Sequence, residues 1–177
     1  VGNEDPTKPM VSKDSFEKTL ENKSDIELYK IANDLYENDI KDVAIVVFQK
    51  CIERNYRIDS CYYKQGVSYI TIGQLKIGVE KLEESLKINP KNYKACYNIG
   101  TTCYETQEYQ KSIEYYEKAL KLGFENDRVY YGIAASQFVL GQLKDAEINC
   151  LTALKLNPNN ENAKTLWGYI LIKREKR

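Results

Sequence analysis

Histidine is absent from this 177-residue chain, and methionine and tryptophan occur once each. Without an imidazole, no Ser–His or Cys–His pair can be assembled. A zinc site would have to be built from thiolates alone. The five cysteines, Cys51, Cys61, Cys96, Cys103 and Cys150, are odd in number and include no CxxC pair. Neither a thiolate cluster nor a disulfide framework is expected from them. They read as small buried hydrophobes in a reducing compartment. A glycine-rich phosphate loop is also missing, because the nine glycines are scattered along the chain. Acidic pairs such as Glu83-Glu84 have Lys81 and Lys87 nearby and read as solvated helix surface. The chain is therefore expected to be no enzyme, and to need neither cofactor nor metal.

Net charge is lacking too: Lys+Arg and Asp+Glu are both 26. That balance speaks against a nucleic-acid binder, which would carry a net basic footprint. No apolar run approaches the length of a membrane span, and no charged-then-apolar leader opens the chain. A cytoplasmic protein without membrane insertion is expected. The first residue is Val1 rather than methionine, which reads as a fragment of a longer protein. What the chain does have is 42% hydrophobic and 29% charged residues, enough to bury a core and keep a polar surface.

Those residues are organised by a period. The stretch from Tyr93 to Asn126 reads as two amphipathic helices joined by the polar turn Glu105-Thr106-Gln107-Glu108, and the stretch from Asp127 repeats it. Pro90 and Pro158 stand 68 residues apart, twice 34, and fix the register. Four units result, 25–58, 59–92, 93–126 and 127–160. Their eighth positions are Ala32, Gly66, Gly100 and Ala134; their twentieth are Ala44, Gly78, Ser112 and Ala146; their twenty-seventh are Cys51, Ser85, Ala119 and Ala153. Only small residues fill these columns, as close helix packing requires. Phe48, Leu82, Tyr116 and Cys150 supply larger residues between them. A 34-residue self-similarity of this kind predicts a helix–turn–helix solenoid.

Before the first unit, residues 1–24 read as a flexible segment, broken by Pro6 and Pro9, with a short helix from Lys13 to Asn22 that pairs Phe16 with Leu20. Ser24 and Glu27 form a capping-box pattern, so the first long helix starts there. After the last unit, residues 161–177 predict a terminal helix with Ala163, Leu166, Trp167, Ile170 and Leu171 on its inner face. Lys173, Arg174, Lys176 and Arg177 lie on the other side. Such a helix would cover the last open interface of a solenoid.

With these columns in place, the chain resembles the tetratricopeptide repeat family over residues 25–160. It departs from the family pattern where Tyr56 and Phe124 replace the closing proline, and where Gln65 and Gln137 occupy usually apolar columns. The resemblance implies an all-α, right-handed α-solenoid whose first helices line a concave groove for a peptide or partner helix. In that groove the fifth column is Tyr29, Tyr63, Tyr97 and Tyr131, and the twelfth is Tyr36, Ile70, Tyr104 and Phe138. The tyrosines are read equally as inter-helix packing and as a recognition surface. Lys64, Lys94 and Arg128 add positive charge there, and Asn33 and Asn98 add amides.

The resemblance further invites comparison with the family's carboxylate clamp for chaperone tails. Here the corresponding places hold Tyr29, Asn33, Lys64, Lys94 and Asn98, of which only Asn33 and Lys94 match in kind. The expected function is a non-catalytic protein-interaction scaffold, and the expected partner is a peptide with acidic residues or a free C-terminal carboxylate. A co-chaperone with a variant clamp and a regulatory domain of a larger enzyme are the alternatives.

Overall fold

The computed structural model describes residues 13–175, and every regular element among them is an α-helix. In chain order these are α1 (Lys13–Glu21), α2 (Asp25–Glu37), α3 (Lys41–Glu53), α4 (Ile58–Thr71), α5 (Leu75–Ile88), α6 (Tyr93–Glu105), α7 (Tyr109–Lys121), α8 (Asp127–Val139), α9 (Leu143–Leu156) and α10 (Glu161–Glu175). The expected flexibility of residues 1–12 lies outside the described residues. From α2 onward each helix packs chiefly on its neighbours in sequence, while α6, α8 and α10 also touch in series. The result is an all-α solenoid.

The start of α2 follows from its sequence. Ser24 Oγ accepts the Glu27 N–H (3.3 Å), and Glu27 Oε2 accepts the Ser24 N–H (2.8 Å), which satisfies two donors at the helix N-terminus. Turns between paired helices repeat one device. Asp39, Gly73, Gln107 and Gly141, each 34 residues from the next, all adopt positive φ (61°, 82°, 66° and 76°). The N–H that follows each one donates to a carbonyl five residues back: Ile40 to Leu35, Gln74 to Tyr69, Glu108 to Cys103 and Gln142 to Gln137. This bond closes the helix end around a left-handed residue. Glycine adopts that conformation freely at two of the positions, whereas Asp39 and Gln107 carry its steric cost.

The second turns of the units come in two kinds, and these explain Tyr56 and Phe124. Where Asn-Pro closes a unit, the asparagine reaches back to the aspartate that opens it. Asn89 Nδ2 lies 3.4 Å from Asp59 Oδ2, and Asn157 Nδ2 lies 2.9 Å from Asp127 Oδ2. Where proline is missing, Asn55 and Gly123 turn left-handed (φ 59° and 85°), and the aromatic residue that follows folds onto the first helix. Tyr56 meets Tyr29 edge-on at 5.9 Å; Phe124 stacks on Tyr93 at 4.7 Å and meets Tyr97 edge-on at 5.5 Å.

The three small-residue columns are buried throughout, and Phe48, Leu82, Tyr116 and Cys150 lie between them in the core. All five cysteines are free and buried. Burial pushes the thiols of Cys103 and Cys150 up to about 11, so both stay protonated at neutral pH. Gln65 and Gln137, the departures from apolar columns, are also buried. Gln65 Nε2 donates to the Ile45 carbonyl (3.1 Å), and Gln137 Oε1 accepts from Asn149 (2.9 Å).

Tyr116 explains a glycine. Its ring runs from α7 to both α6 and α8, and its hydroxyl shares a 3.0 Å hydrogen bond with Thr101. A Cβ on Gly132 would lie 2.5 Å from Tyr116 Cζ. Gly132→Ala is therefore expected to destabilise the fold by about 1–2 kcal/mol, because overpacking outweighs the roughly 1 kcal/mol gain in helix propensity. Urea unfolding measures it, and a midpoint equal to the parent's or higher would contradict this packing.

One expectation for α10 needs correction. Ala163, Leu166 and Ile170 are buried and Trp167 is half-buried against the same cluster, but Leu171 stands 40% exposed. The wall made by α8 and α9 is too narrow to cover the whole apolar arc of the helix.

Candidate interaction groove

The first helices α2, α4, α6 and α8, followed by α10, present their side chains along one surface. At its N-terminal end the expected site residues hold one another. Tyr29 Oη shares a 2.7 Å hydrogen bond with Ser60 Oγ, and the Arg57 guanidinium lies 5.4 Å from the Tyr29 ring centre. Asn33 Nδ2 donates to the Tyr29 carbonyl (2.6 Å), and its Oδ1 accepts from Lys64 Nζ. That ammonium also faces Glu37 at 3.6 Å and the Tyr36 ring at 4.9 Å. Lys64 is thus already paired by a carboxylate and an amide from the preceding first helix. It offers little free positive charge.

In the middle, Asn98 Nδ2 approaches Tyr63 Oη at 3.4 Å. Burial raises the Tyr63 phenol pKa, a shift that Asn98 partly offsets. Lys94, one helical turn before Tyr97, is exposed and has no ion pair among the described residues.

The C-terminal end is hollow. A cleft of about 530 Å³ is lined by Tyr97, Thr101, Tyr104, Arg128 and Tyr131 and by the acids Glu105 and Asp127, with Asn157, Asn160 and Asn162 from the last turn and α10. A second cleft of about 300 Å³ continues from it past Tyr104 and Tyr131 to Phe138, Thr165, Leu166 and Tyr169. Asn157 and Asn160 are fixed because both donate to Asp127 Oδ2 (2.9 and 2.8 Å). Burial pushes the Asp127 carboxyl up, but these bonds and the Arg128 charge leave it below its usual pKa. Arg128 itself is exposed and forms no ion pair among the described residues. At the far end Lys173 Nζ lies 4.6 Å from the Phe138 ring centre.

Of the nine residues singled out from sequence, the structure groups Tyr29, Asn33 and Lys64 in one network, and Tyr63 with Asn98 in another. Tyr97, Arg128 and Tyr131 share the larger cleft, with Lys94 one turn away. The tyrosine column divides by type of turn. Tyr29 and Tyr97 are covered by Tyr56 and Phe124, whereas Tyr63 and Tyr131 stand in units closed by proline and have no such ring against them. Asn162, Thr165 and Tyr169 were missed. Continuing the 34-residue register past 160 would have found them, because they fall at the second, fifth and ninth places of a fifth period.

Among the described residues no cluster of three metal-ligating side chains occurs, and no helix is long and apolar enough to cross a membrane.

Paired helices in a 34-residue register, stacked so that one set lines a groove, define a helical-repeat solenoid. Two profiles described as tetratricopeptide repeat match residues 59–92 and 93–123. The chain belongs to the tetratricopeptide repeat family. It is similar to small glutamine-rich tetratricopeptide repeat-containing protein 2 of Mycosarcoma maydis, 27% identical over 110 residues, which are 62% of this chain and 31% of that protein. It is also similar to Hsp70-Hsp90 organizing protein 1 of Glycine max, 24% identical over 57% of this chain and 18% of that protein. The matched region thus spans about a third or less of these relatives.

Among solved structures, MamA (residues 41 to the end) from Desulfovibrio magneticus superposes with a TM-score of 0.80 at 15% identity, covering 85% of each chain. The first TPR of Spaghetti (RPAP3), bound to the HSP90 peptide SRMEEVD, superposes with a TM-score of 0.64 at 18% identity, covering 67% of this chain and 94% of that one. At these identities the likeness is one of fold.

Proposed function

We propose that this chain is a protein-interaction module that holds an acidic peptide segment against the α6–α8–α10 part of its groove. One observation carries the reading. Arg128 lies exposed and free of any ion pair among the described residues, in a cleft lined by aromatic rings and amides, where the Asp127 carboxylate is taken up by Asn157 and Asn160 and Glu105 stands as the other acid. Lys94 and Lys173 extend the positive charge to either side. An acidic side chain of the ligand meets Arg128 or Lys94, while an apolar one enters the aromatic second cleft.

A second reading, a co-chaperone with a variant carboxylate clamp, is favoured by the relatives of organizing-protein type and by the peptide-bound solved structure. The internal pairing of Lys64 with Asn33 and Glu37 weighs against it. That pairing neutralises the residue at the clamp's central place.

Titration of fluorescein-labelled acidic peptides, SRMEEVD among them, with free and amidated C-termini tests both. Charge-assisted hydrogen bonds contribute about 1.5–3 kcal/mol each. Arg128→Ala and Lys94→Ala are therefore expected to weaken binding by about tenfold or more, and added salt to weaken it further. Lys64→Ala should change it by less than about threefold, because its charge is already paired within the chain. Equal affinities for the parent and both Ala variants would end the acidic-peptide reading. A loss confined to amidated peptides and Lys64→Ala would establish the clamp instead.

A further inference from the structure

The eighth column of the repeat continues into α10 as Gly168. Elsewhere this column is where a partner helix comes close. A Cβ on Gly66 would lie 2.8 Å from Leu82 Cγ and 2.9 Å from the Gly78 carbonyl of α5, and one on Gly100 would lie 2.9 Å from Tyr116 Cδ1 of α7. At Gly168 nothing stands within 4 Å. A glycine in the middle of a 15-residue helix costs about 1 kcal/mol relative to alanine and here gains no contact in return.

The residues around Gly168 show what fits the space. Lys164, Gly168, Leu171 and Glu175 recur at intervals of four, three and four, so they form one stripe. At 100° per residue this stripe is turned by about 140° from Ala163, Leu166 and Ile170, the face buried against α8 and α9. Lys164 and Glu175 are exposed and Leu171 is 40% exposed. The stripe is complementary to itself when run antiparallel. A two-fold axis midway between positions 168 and 171 sets Gly168 against Leu171 of the second copy. The same axis sets Lys164 against Glu175 of the second copy, and each contact occurs twice. Self-complementarity of this kind is what a two-fold interface requires. Leu171 would then fill the space over Gly168 much as Leu82 fills the space over Gly66. Lys164 is now engaged only in an exposed pair with Glu161, and Glu175 has no ion pair among the described residues, so both charges can be redirected at little cost.

We propose that α10 is a homodimerisation helix, pairing antiparallel with α10 of a second copy through Lys164, Gly168, Leu171 and Glu175. A single helix pair buries less than a standard interface, so the dimer is weak and reversible. It is independent of the peptide groove, which α10 reaches with a different side, through Asn162, Thr165 and Tyr169.

Sedimentation equilibrium of the full chain, from about 10 µM to about 1 mM, provides the test. The weight-average mass is expected to rise with concentration from the 20.5 kDa monomer towards twice that value. Lys164→Glu places like charges together and should weaken association by about tenfold. Lys164→Glu combined with Glu175→Lys should restore it, and Leu171→Asp should abolish it. Circular dichroism melts confirm that each variant is folded, as expected for substitutions at exposed positions. A monomer throughout the range overturns the proposal, whether or not another protein's helix binds this face. So does a dimer that Lys164→Glu and Leu171→Asp leave unchanged.

Discussion

Phe48→Ala is expected to lower stability by about 3–5 kcal/mol, the usual cost of deleting a buried phenylalanine and leaving its cavity. Phe48 is fully buried, and its ring meets Tyr29 and Tyr36 edge-on at 6.4 and 6.3 Å. Ala32, Ala44, Val47 and Cys51 of the same cluster are small, and its larger members Leu20 and Leu28 are already packed in full burial. The cavity therefore stays largely open. Because solenoid units contact only their neighbours, the loss should appear first in α2 and α3. Amide hydrogen exchange should show those helices opening while α8 and α9 keep their protection. A urea midpoint shifted by less than the equivalent of about 1 kcal/mol would mean that Phe48 is not the keystone of this end.

The same substitution would loosen a part of the groove. Tyr36 receives the Lys64 ammonium on its ring, and Tyr29 anchors Asn33 through its carbonyl. Both tyrosines are braced by Phe48 from behind. The pairing of Lys64, which takes it out of peptide recognition, is thus set from the hydrophobic core of the first helix pair. Moving along the solenoid, that bracing is replaced by the Tyr116 ring, which lies against Gly100 and Gly132 and leaves Arg128 and Tyr131 facing a cleft.

The period was legible because it is written in volumes. A column that admits only Ala, Gly, Ser or Cys can be seen without knowing what it touches. Partners across helices were harder to see. Lys64 meets Asn33 and Glu37, 31 and 27 residues upstream, and nothing local in the sequence marks that an ammonium will turn back to the preceding helix. Gly132 stands at the place that holds Lys30, Lys64 and Asn98 in the other units, and that column does not explain it. Its reason is the direction of the Tyr116 side chain, which follows from how α7 and α8 cross. Tyr56 and Phe124 looked like missing prolines, yet they belong to a left-handed turn that returns an aromatic ring to the first helix. The exposed flank of α10 was hidden for another reason. Periodicity shows which residues are apolar on a helix, but not how wide a wall the preceding helices provide.

Deleting residues 161–177 is expected to lower stability by about 3–6 kcal/mol, the sum for two large aliphatic side chains removed from full burial. Leu166 is 7% exposed and Ile170 is fully buried, and Ala163 is sealed at the start of the same face. Their removal would bare Ala134, Ala135, Cys150 and Ala153, a continuous apolar wall on α8 and α9. Polar ties would go with them. Cys150 Sγ would lose the Ala163 carbonyl (3.2 Å), and Glu147 would lose Arg174 (2.5 Å). The exposed Glu147–Arg174 pair contributes little, so the apolar wall decides the outcome. Urea unfolding at low protein concentration measures the loss, and hydrogen exchange should place it in α8 and α9. An unchanged midpoint with α8 and α9 still protected would deny α10 its covering role. Comparison with Lys164→Glu in the undeleted chain separates that role from self-association, since this variant keeps the covering face and alters only an exposed position outside it.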